Sequence, residues 1–552
     1  MKRFELKFLS LAFLAVFGLY SCTNLEIEET DSFISEGFQG LEDPQSALDQ
    51  LYNQVGGQLG DQANTYALTS VTTDEQLVPT RGADWGDNGR WRKLHQHEWG
   101  FEETDILTPF DQWNSNQLLA SQILDERSAA PSGVGAQAHF LRAWSMYMIL
   151  DLYGQVPYRD TQLSSSTVPE VLIGADAVNF ILADLDEAIS GLPAISAGSG
   201  EQNRAGKAAA RLLKAKVLLN RSVFESQLAE PRSFNAADMQ EVVNLVDAIA
   251  ADGYALQSGY FEIFEPSPDT ETIWFIDSGN TGNRIFNGLH YRSTGLGGGG
   301  WNGFSTLAEF YDLFEGDPNQ NRYASDLESA QIDGQEERRG GVPNIGVPFT
   351  NRPGSSDDNG GFEDGSNVGN GFLVGQQYDL DGTPLEDRQG NPLEFSRGFV
   401  DGNGAPSLIN NSERTGIRVM KYNPRNGGGF ANHVMVMRYA DAHLMKAEAI
   451  LRGASGGDAT ALVNELRTIR NATPLGSVSE SDMLDERGRE LYCEWWRRND
   501  MIRFGQYTRQ WEFKSDTETG NAARNLFPIP LPQLLANPTL VQNPGYEQKH
   551  SV

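Results

Sequence analysis

The chain has 552 residues, with 43 Lys and Arg against 75 Asp and Glu, a formal net charge of −32. Such a surface repels phosphate backbones and has no counterion-release route to nucleic-acid affinity. The only cysteines are Cys22 and Cys493, which excludes a disulfide framework, and the length sets a prior of about three to four domains.

The N-terminus has the layout of a secretory signal. Lys2, Arg3 and Lys7 precede a 13-residue apolar run from Phe8 to Tyr20, short of the roughly 20 residues a bilayer-spanning helix needs. Leu19-Tyr20-Ser21-Cys22 resembles a bacterial lipoprotein cleavage box, in which Cys22 is acylated and becomes the new N-terminus. Residues 1–21 are therefore read as the signal. Residues 22–40, carrying Glu26, Glu28, Glu29 and Asp31, are read as an acidic, lipid-anchored tether. The mature protein is expected to be soluble in build and held to a membrane by acyl chains.

Helical periodicity follows. Ala138, Leu141, Trp144, Met148 and Leu152 share one face. Val178, Ile181, Leu182, Leu185 and Ile189 continue on a second helix that Gly191 and Pro193 end. Lys207–Asn220, studded with Ala208, Ala209, Ala210 and Ala215, pairs with Glu241–Ala250. A third pair comes late: Val434, Met437, Ala440, Leu444, Ala447 and Leu451, then Ala461–Arg470. A weaker pair covers Ala47–Val55 and Thr108–Ser128. This is mainly α, with helix pairs of the scale of a degenerate tetratricopeptide-like array. The boundaries read as an N-terminal helical region over 41–258, a loop-rich insertion over 259–432 and a C-terminal helical region over 433–552 that completes the scaffold.

The insertion is rich in Gly, Asn, Asp and Pro, with short β-strand pieces such as Glu271–Ile276. Aromatics including Tyr291, Trp301, Phe304, Phe362, Phe372 and Tyr378 interleave it, which disordered segments tend to lack. A long stretch of this kind packs on the helices and carries function.

Three blocks close the chain: Met437-Arg-Tyr-Ala-Asp-Ala-His-Leu-Met-Lys-Ala-Glu-Ala449, Glu486–Gly505 with its Trp495-Trp496-Arg497-Arg498 centre, and Phe527-Pro-Ile-Pro530 followed by Asn537-Pro538 and Gln542–Tyr546. Upstream stand Phe140–Ala143, Leu152-Tyr-Gly154, Asp184-Leu185, Leu192-Pro193 and Trp301-Asn-Gly-Phe304. Together and in this order they resemble the SusD/RagB family of surface nutrient-binding lipoproteins, from Cys22 to Tyr546. The resemblance implies four tetratricopeptide-type helix pairs supporting an irregular region that holds the ligand. It implies an outer-membrane, cell-surface location, and a role as lid on a SusC-like TonB-dependent transporter in polysaccharide utilisation. It also implies non-catalytic delivery of oligosaccharide, or of peptide in RagB-like relatives, with no cofactor.

A glycan site wants flat aromatic platforms beside planar polar side chains. The segment Asp74–Trp91 has this composition outside any helical pattern. The resemblance points to Asp74, Arg81, Trp85 and Asn88 as ligand contacts, with Asp87 and Trp91 behind them; Tyr291 and Trp301 are second candidates. Asn302 is expected to cap the helix that follows it. Other clusters read as structural. The charges of Glu486–Arg503, including Glu490 and Glu494, suggest an ion-pair network at spacings of three and four rather than a glycosidase pair. His95-Gln-His97 has no third metal ligand, so no metal site is assigned. Asp379–Gly382 and Gly390-Asn391 suit hairpin turns better than a calcium loop. Gly297–Gly300 lacks the Lys of a phosphate loop. Cys493 reads as an inert buried thiol. The alternative in a different class is a surface glycoside hydrolase using carboxylates of the insertion.

Overall fold

A computed structural model of the chain describes residues 37–164, 166–226, 228, 232–264, 268–276, 288–292, 300–316, 336–340, 371–377, 385–422 and 434–546. Residues 1–21, the lipidation residue Cys22, Phe362, Tyr378, Asp379–Gly382 and Gly297–Gly299 lie outside the described residues.

Local chemistry sets the helix ends. Helix α1 (Pro44–Gly60) starts with Pro44 in its first turn and with the Asp43 carboxylate accepting the Ser46 N–H at 3.0 Å. The Pro suits a position whose N–H has no intrahelical partner. Helices α2 (Arg90–Gln96), α3 (Thr104–Leu124), α4 (Ser132–Tyr153), α5 (Gly174–Gly191), α6 (Lys207–Ser226) and α7 (Ala236–Ala251) follow. Gly154, at φ 72°, closes α4 in the left-handed conformation that costs a glycine nothing. Asn235 caps α7 and Asp458 caps the helix Ala459–Ile469. Ser479 and Asp482 form a reciprocal capping box at the start of the helix Glu480–Leu491.

From α3 to α7 each helix packs on the next, and α1 packs on α3. The chain then leaves the array and rejoins it at α8 (Tyr439–Leu451), which lies against α7; α9 (Ala459–Ile469), α10 (Glu480–Leu491) and α11 (Arg497–Arg503) follow, and a short helix, Leu531–Ala536, comes after them. One hydrophobic cluster runs from Leu48 to Tyr546 and includes Trp113, Trp144, Trp274 and Trp496. The mainly helical scaffold with a strand-bearing insertion is thus as the periodicity predicts.

One boundary differs. Val434 and Met437 fit helical spacing, yet Val434–Arg438 is a strand, β10, antiparallel to β4 (Thr272–Ile276), with Val434 opposite Ile276 and Arg438 opposite Thr272. All five β10 residues are buried, so a continuous apolar run sits as a covered strand and the helix starts only at Tyr439. This pair staples the insertion at its root, where the chain exits and re-enters the array. The other strands are short: β1 (Gln76–Leu77) with β5 (Ser305–Thr306), β2 (Gln155–Tyr158) with β3 (Glu170–Ile173), β6 (Gly371–Leu373) with β9 (Arg418–Met420), and β7 (Gly375–Gln376) with β8 (Glu394–Phe395).

Charge also fastens the insertion to the helices. Glu271 takes Arg470 at 2.7 Å and Arg438 at 3.0 Å. Glu490 takes Arg438 at 2.7 Å, Arg470 at 3.0 Å and Arg338 at 3.1 Å. Glu486 holds Arg338, Arg467 and Arg489, and Glu494 holds Lys421 and Arg438. The ion-pair reading of this segment holds, but its pairing is mostly long-range; Arg489–Glu486 and Arg503–Asp500 are local pairs three residues apart. Glu490 and Glu494 are buried under guanidinium groups, far from the open geometry a glycosidase pair requires.

Burial alone would raise the Glu486 and Glu448 carboxyls, yet the facing arginines (Arg338, Arg489 and Arg467; Arg503 and Arg452) bring both down to about 2. Folding depresses these pKa values, so their stabilisation is complete above their ordinary value of 4.5 and is lost as pH falls towards about 2. Thermal melts should therefore decline progressively below about pH 4.5; a midpoint that stays level through that window contradicts the assignment. Glu490→Gln, which strips a counter-charge from three dry guanidiniums, should cost about 3–5 kcal/mol in urea unfolding.

Candidate functional site

The loop after β1 is built on strain and tight turns. Arg81 and Asp84 exchange backbone hydrogen bonds, both 2.9 Å, around a two-residue turn with Gly82 at φ 59°. Trp85, Asp87 and Asn88 all have positive φ, at 59°, 34° and 52°. A left-handed tryptophan persists only where its surroundings over-determine it. Here they do. The Trp85 indole N–H donates to the Trp301 carbonyl at 2.7 Å, and its ring meets Trp91 and Phe304 edge-on with centroids 5.7 and 5.8 Å apart. A Cβ on Gly303 would lie 2.3 Å from the Trp85 ring, so only glycine admits the indole there.

Beneath the loop two buried guanidiniums serve as fasteners. Arg81, 3 % exposed, donates to the Asn302 and Ser412 carbonyls (both 2.8 Å), Thr415 Oγ1 (2.7 Å) and Ser305 Oγ (2.9 Å). Arg418 donates to Asn302 Oδ1 at 2.7 Å and to the Thr415 carbonyl at 2.7 Å. Arg81 donates to neutral acceptors, and burial pulls it down to about 9, only partly opposed by the charge of Glu413 nearby. Asn302, at φ 58°, spends its side chain on Arg418 and on the Glu413 carbonyl. It does not cap a helix: the next one, Ala308–Tyr311, begins after Leu307 with no side-chain cap. Asp74, 1 % exposed, is held by Arg497 at 2.7 Å and Arg509 at 2.6 Å.

Above these fasteners opens a cleft of about 520 Å³, lined by Trp85, Asp87, Trp91, Tyr291 and Trp301 with Asp84 and Arg90 among their neighbours. Of the residues singled out from sequence, those five come together. Asp74 and Arg81 lie buried and fully engaged outside the lining, and Asn88 is exposed but does not line the cleft. Trp301 is the open face, 59 % exposed; Trp91 is nearly buried and donates its indole N–H to Asp87 Oδ2 at 2.6 Å. Arg90 stacks on the Trp91 ring at 4.6 Å and pairs with Asp105. The Tyr291 hydroxyl donates to Asp84, which keeps that carboxyl below its usual range. Asp84 was not singled out from sequence, although it stands in the Ala-Asp-Trp-Gly-Asp run that could have marked it; Gln62 and Ala63, also in the lining, come from the turn after α1 and have no local signal.

His95 and His97 are buried against carbonyls, His95 against those of Val71 and Glu512 and His97 against that of Thr72. Among the described residues no three metal-ligating side chains gather, and no helix is long and apolar enough to cross a membrane. Cys493 is buried beside the Gln76 amide, 3.2 Å away. Gly390-Asn391 closes a turn around Asp387, which accepts both the Gln389 and Asn391 N–H groups.

The model of the SusD family matches residues 270–546. The chain belongs to the SusD family. It is 26% identical over 524 residues to the starch-binding protein SusD of Bacteroides thetaiotaomicron, covering 90% of this chain and 88% of that one. Its fold is that of a SusD-like protein from Bacteroides fragilis (TM-score 0.65, 19% identity, 92% of this chain and 98% of that one). It is also that of surface glycan-binding protein A from Bacteroides thetaiotaomicron, solved in complex with laminarihexaose (TM-score 0.59, 16% identity, 91% and 98%). Within this SusD-family fold the cleft sits where the loop before α2 meets the insertion.

Gly303→Ala should expel Trp85 from its seat, at a cost of about 1–3 kcal/mol for the overpacked site. Near-ultraviolet circular dichroism and tryptophan emission should both change; spectra identical to wild type contradict this packing.

Proposed function

We propose that this chain is a cell-surface, outer-membrane lipoprotein, acylated at Cys22, that captures oligosaccharide in the 520 Å³ cleft without catalysis. It then delivers the sugar to a SusC-like TonB-dependent transporter. The observation that carries the reading is the grouping of Trp301, Trp85 and Tyr291 with Asp84 and Asp87 around one open cleft. Sugar rings present apolar C–H faces and a fringe of hydroxyls, which aromatic faces and fixed carboxylate acceptors match. Relatives named for binding starch and laminarin support a glycan as the ligand class. In this reading Asp74 and Arg81 act from beneath, by holding the loop that bears Trp85, while Asn88 is exposed on the same loop. The lipid anchor rests on the Leu19–Cys22 box, and the transporter on family membership.

The test is calorimetric titration of the protein lacking residues 1–22 against neutral oligosaccharides and mixed peptides. Saturable sugar binding is expected, weakened about tenfold in Trp301→Ala and in Trp85→Ala, as fits the loss of a large aromatic contact. No reducing sugar should be released. Binding of peptides alone would move the protein to a RagB-like role, and sugar release would favour the hydrolase.

A further inference from the structure

Arg388 lies in the turn of the 385–395 hairpin, remote in sequence from every residue that lines the cleft. Its guanidinium stands 3.9 Å from the centre of the Tyr291 ring. The same group donates to Asp84 Oδ2 at 2.9 Å and to Glu413 Oε1. Glu413 in turn accepts the Arg388 backbone N–H at 3.0 Å and pairs with buried His290 at 3.0 Å. The Tyr291 hydroxyl returns to Asp84, so Arg388, Tyr291 and Asp84 close a ring of contacts with two corners in the cleft lining.

The backbone beside Tyr291 is held by the Gly300 and Asn302 N–H groups, which donate to the His290 and Leu289 carbonyls at 3.1 and 2.7 Å, and the His290 ring meets Tyr291 edge-on at 5.2 Å. Residues 288–292 form neither helix nor strand, and these backbone bonds leave the direction of the Tyr291 ring to its side-chain contacts. A guanidinium held by two carboxylates and stacked on a phenol supplies that constraint from the side chains. It covers one face of Tyr291 and offsets the charge of Asp84, so the cleft wall presents a fixed ring and a compensated carboxylate.

We propose that Arg388 is the positioning and specificity-determining residue of the cleft, locking Tyr291 and Asp84 in the orientation that a neutral, hydroxyl-rich ligand meets. The proposal rests on the capture reading for its ligand and on geometry alone for its lock. Preordering a platform strengthens binding by removing the cost of ordering it at the moment of contact.

A double-mutant cycle tests it, using the oligosaccharide that the wild-type protein retains. Arg388→Ala should weaken binding about fivefold in the wild-type background, the size of an exposed cation–π contact. In the Tyr291→Ala background the same change should matter less than about twofold, and Arg388→Lys should fall between. Equal weakening in both backgrounds, or none in either, overturns the proposal. Hydrogen–deuterium exchange supplies an arm that needs no ligand. Peptides covering 84–92 and 288–292 should exchange faster in Arg388→Ala at unchanged thermal midpoint, and unchanged exchange there sinks the lock. A wild-type protein that binds no sugar defeats the capture reading instead, and the exchange result still decides Arg388.

Discussion

The buried ion network between the insertion and α8–α11 is the constraint on which the rest of the structure depends. Charges taken out of water cost several kcal/mol each, and their mutual attraction offsets that only when geometry and hydrogen bonding are complete. Glu490 meets this condition by accepting from three arginines that come from three separate segments: Arg338 of the insertion, Arg438 of β10 and Arg470 after α9. Leaving any one of those segments undocked strands the others' charges in a dry interior. The insertion has little regular structure of its own, so a directional network of this kind specifies its seat in a way that a hydrophobic face alone does not. The β4–β10 pair then sets the root of the insertion in register with the array.

The same logic recurs under the cleft with the opposite balance. Arg81 and Arg418 are buried with carbonyl and hydroxyl acceptors instead of carboxylates. They stitch the 74–91 loop to residues 302–305 and 412–418, three pieces that share no secondary structure beyond short strands. This stitching allows Trp85 to hold a left-handed backbone, and Trp85 in turn leaves its neighbour Trp301 facing solvent. An exposed tryptophan beside a strained loop is an expensive arrangement for a structural purpose, and an apt one for meeting a flat apolar ligand face.

Much was legible from spacing. The helices α3 to α9 follow apolar periodicity, because a helix buries one stripe, while side-chain caps start only α1, α7, α9 and α10. The candidate aromatics of the cleft stood out as tryptophan and tyrosine in polar, glycine-rich sequence. What was not legible was each side chain's direction. Asp74 and Arg81 have the composition of ligand contacts, yet partners more than two hundred residues away hold them inside. Asn302 has the look of a cap and is a buried bracket for Arg418. Val434 and Met437 keep helical spacing by coincidence within a run that pairs with β4.

By itself the sequence determined the family, the mainly helical scaffold and the aromatic and acidic residue types that line the cleft. These depend on local propensity and on ordered blocks of residues, both of which are written along the chain. Only the tertiary structure decided which of those residues face the cleft, which arginines fasten it from below, and that Arg388 reaches Tyr291. A guanidinium spans several ångströms and finds its partners across space, so sequence distance carries no record of whom it meets.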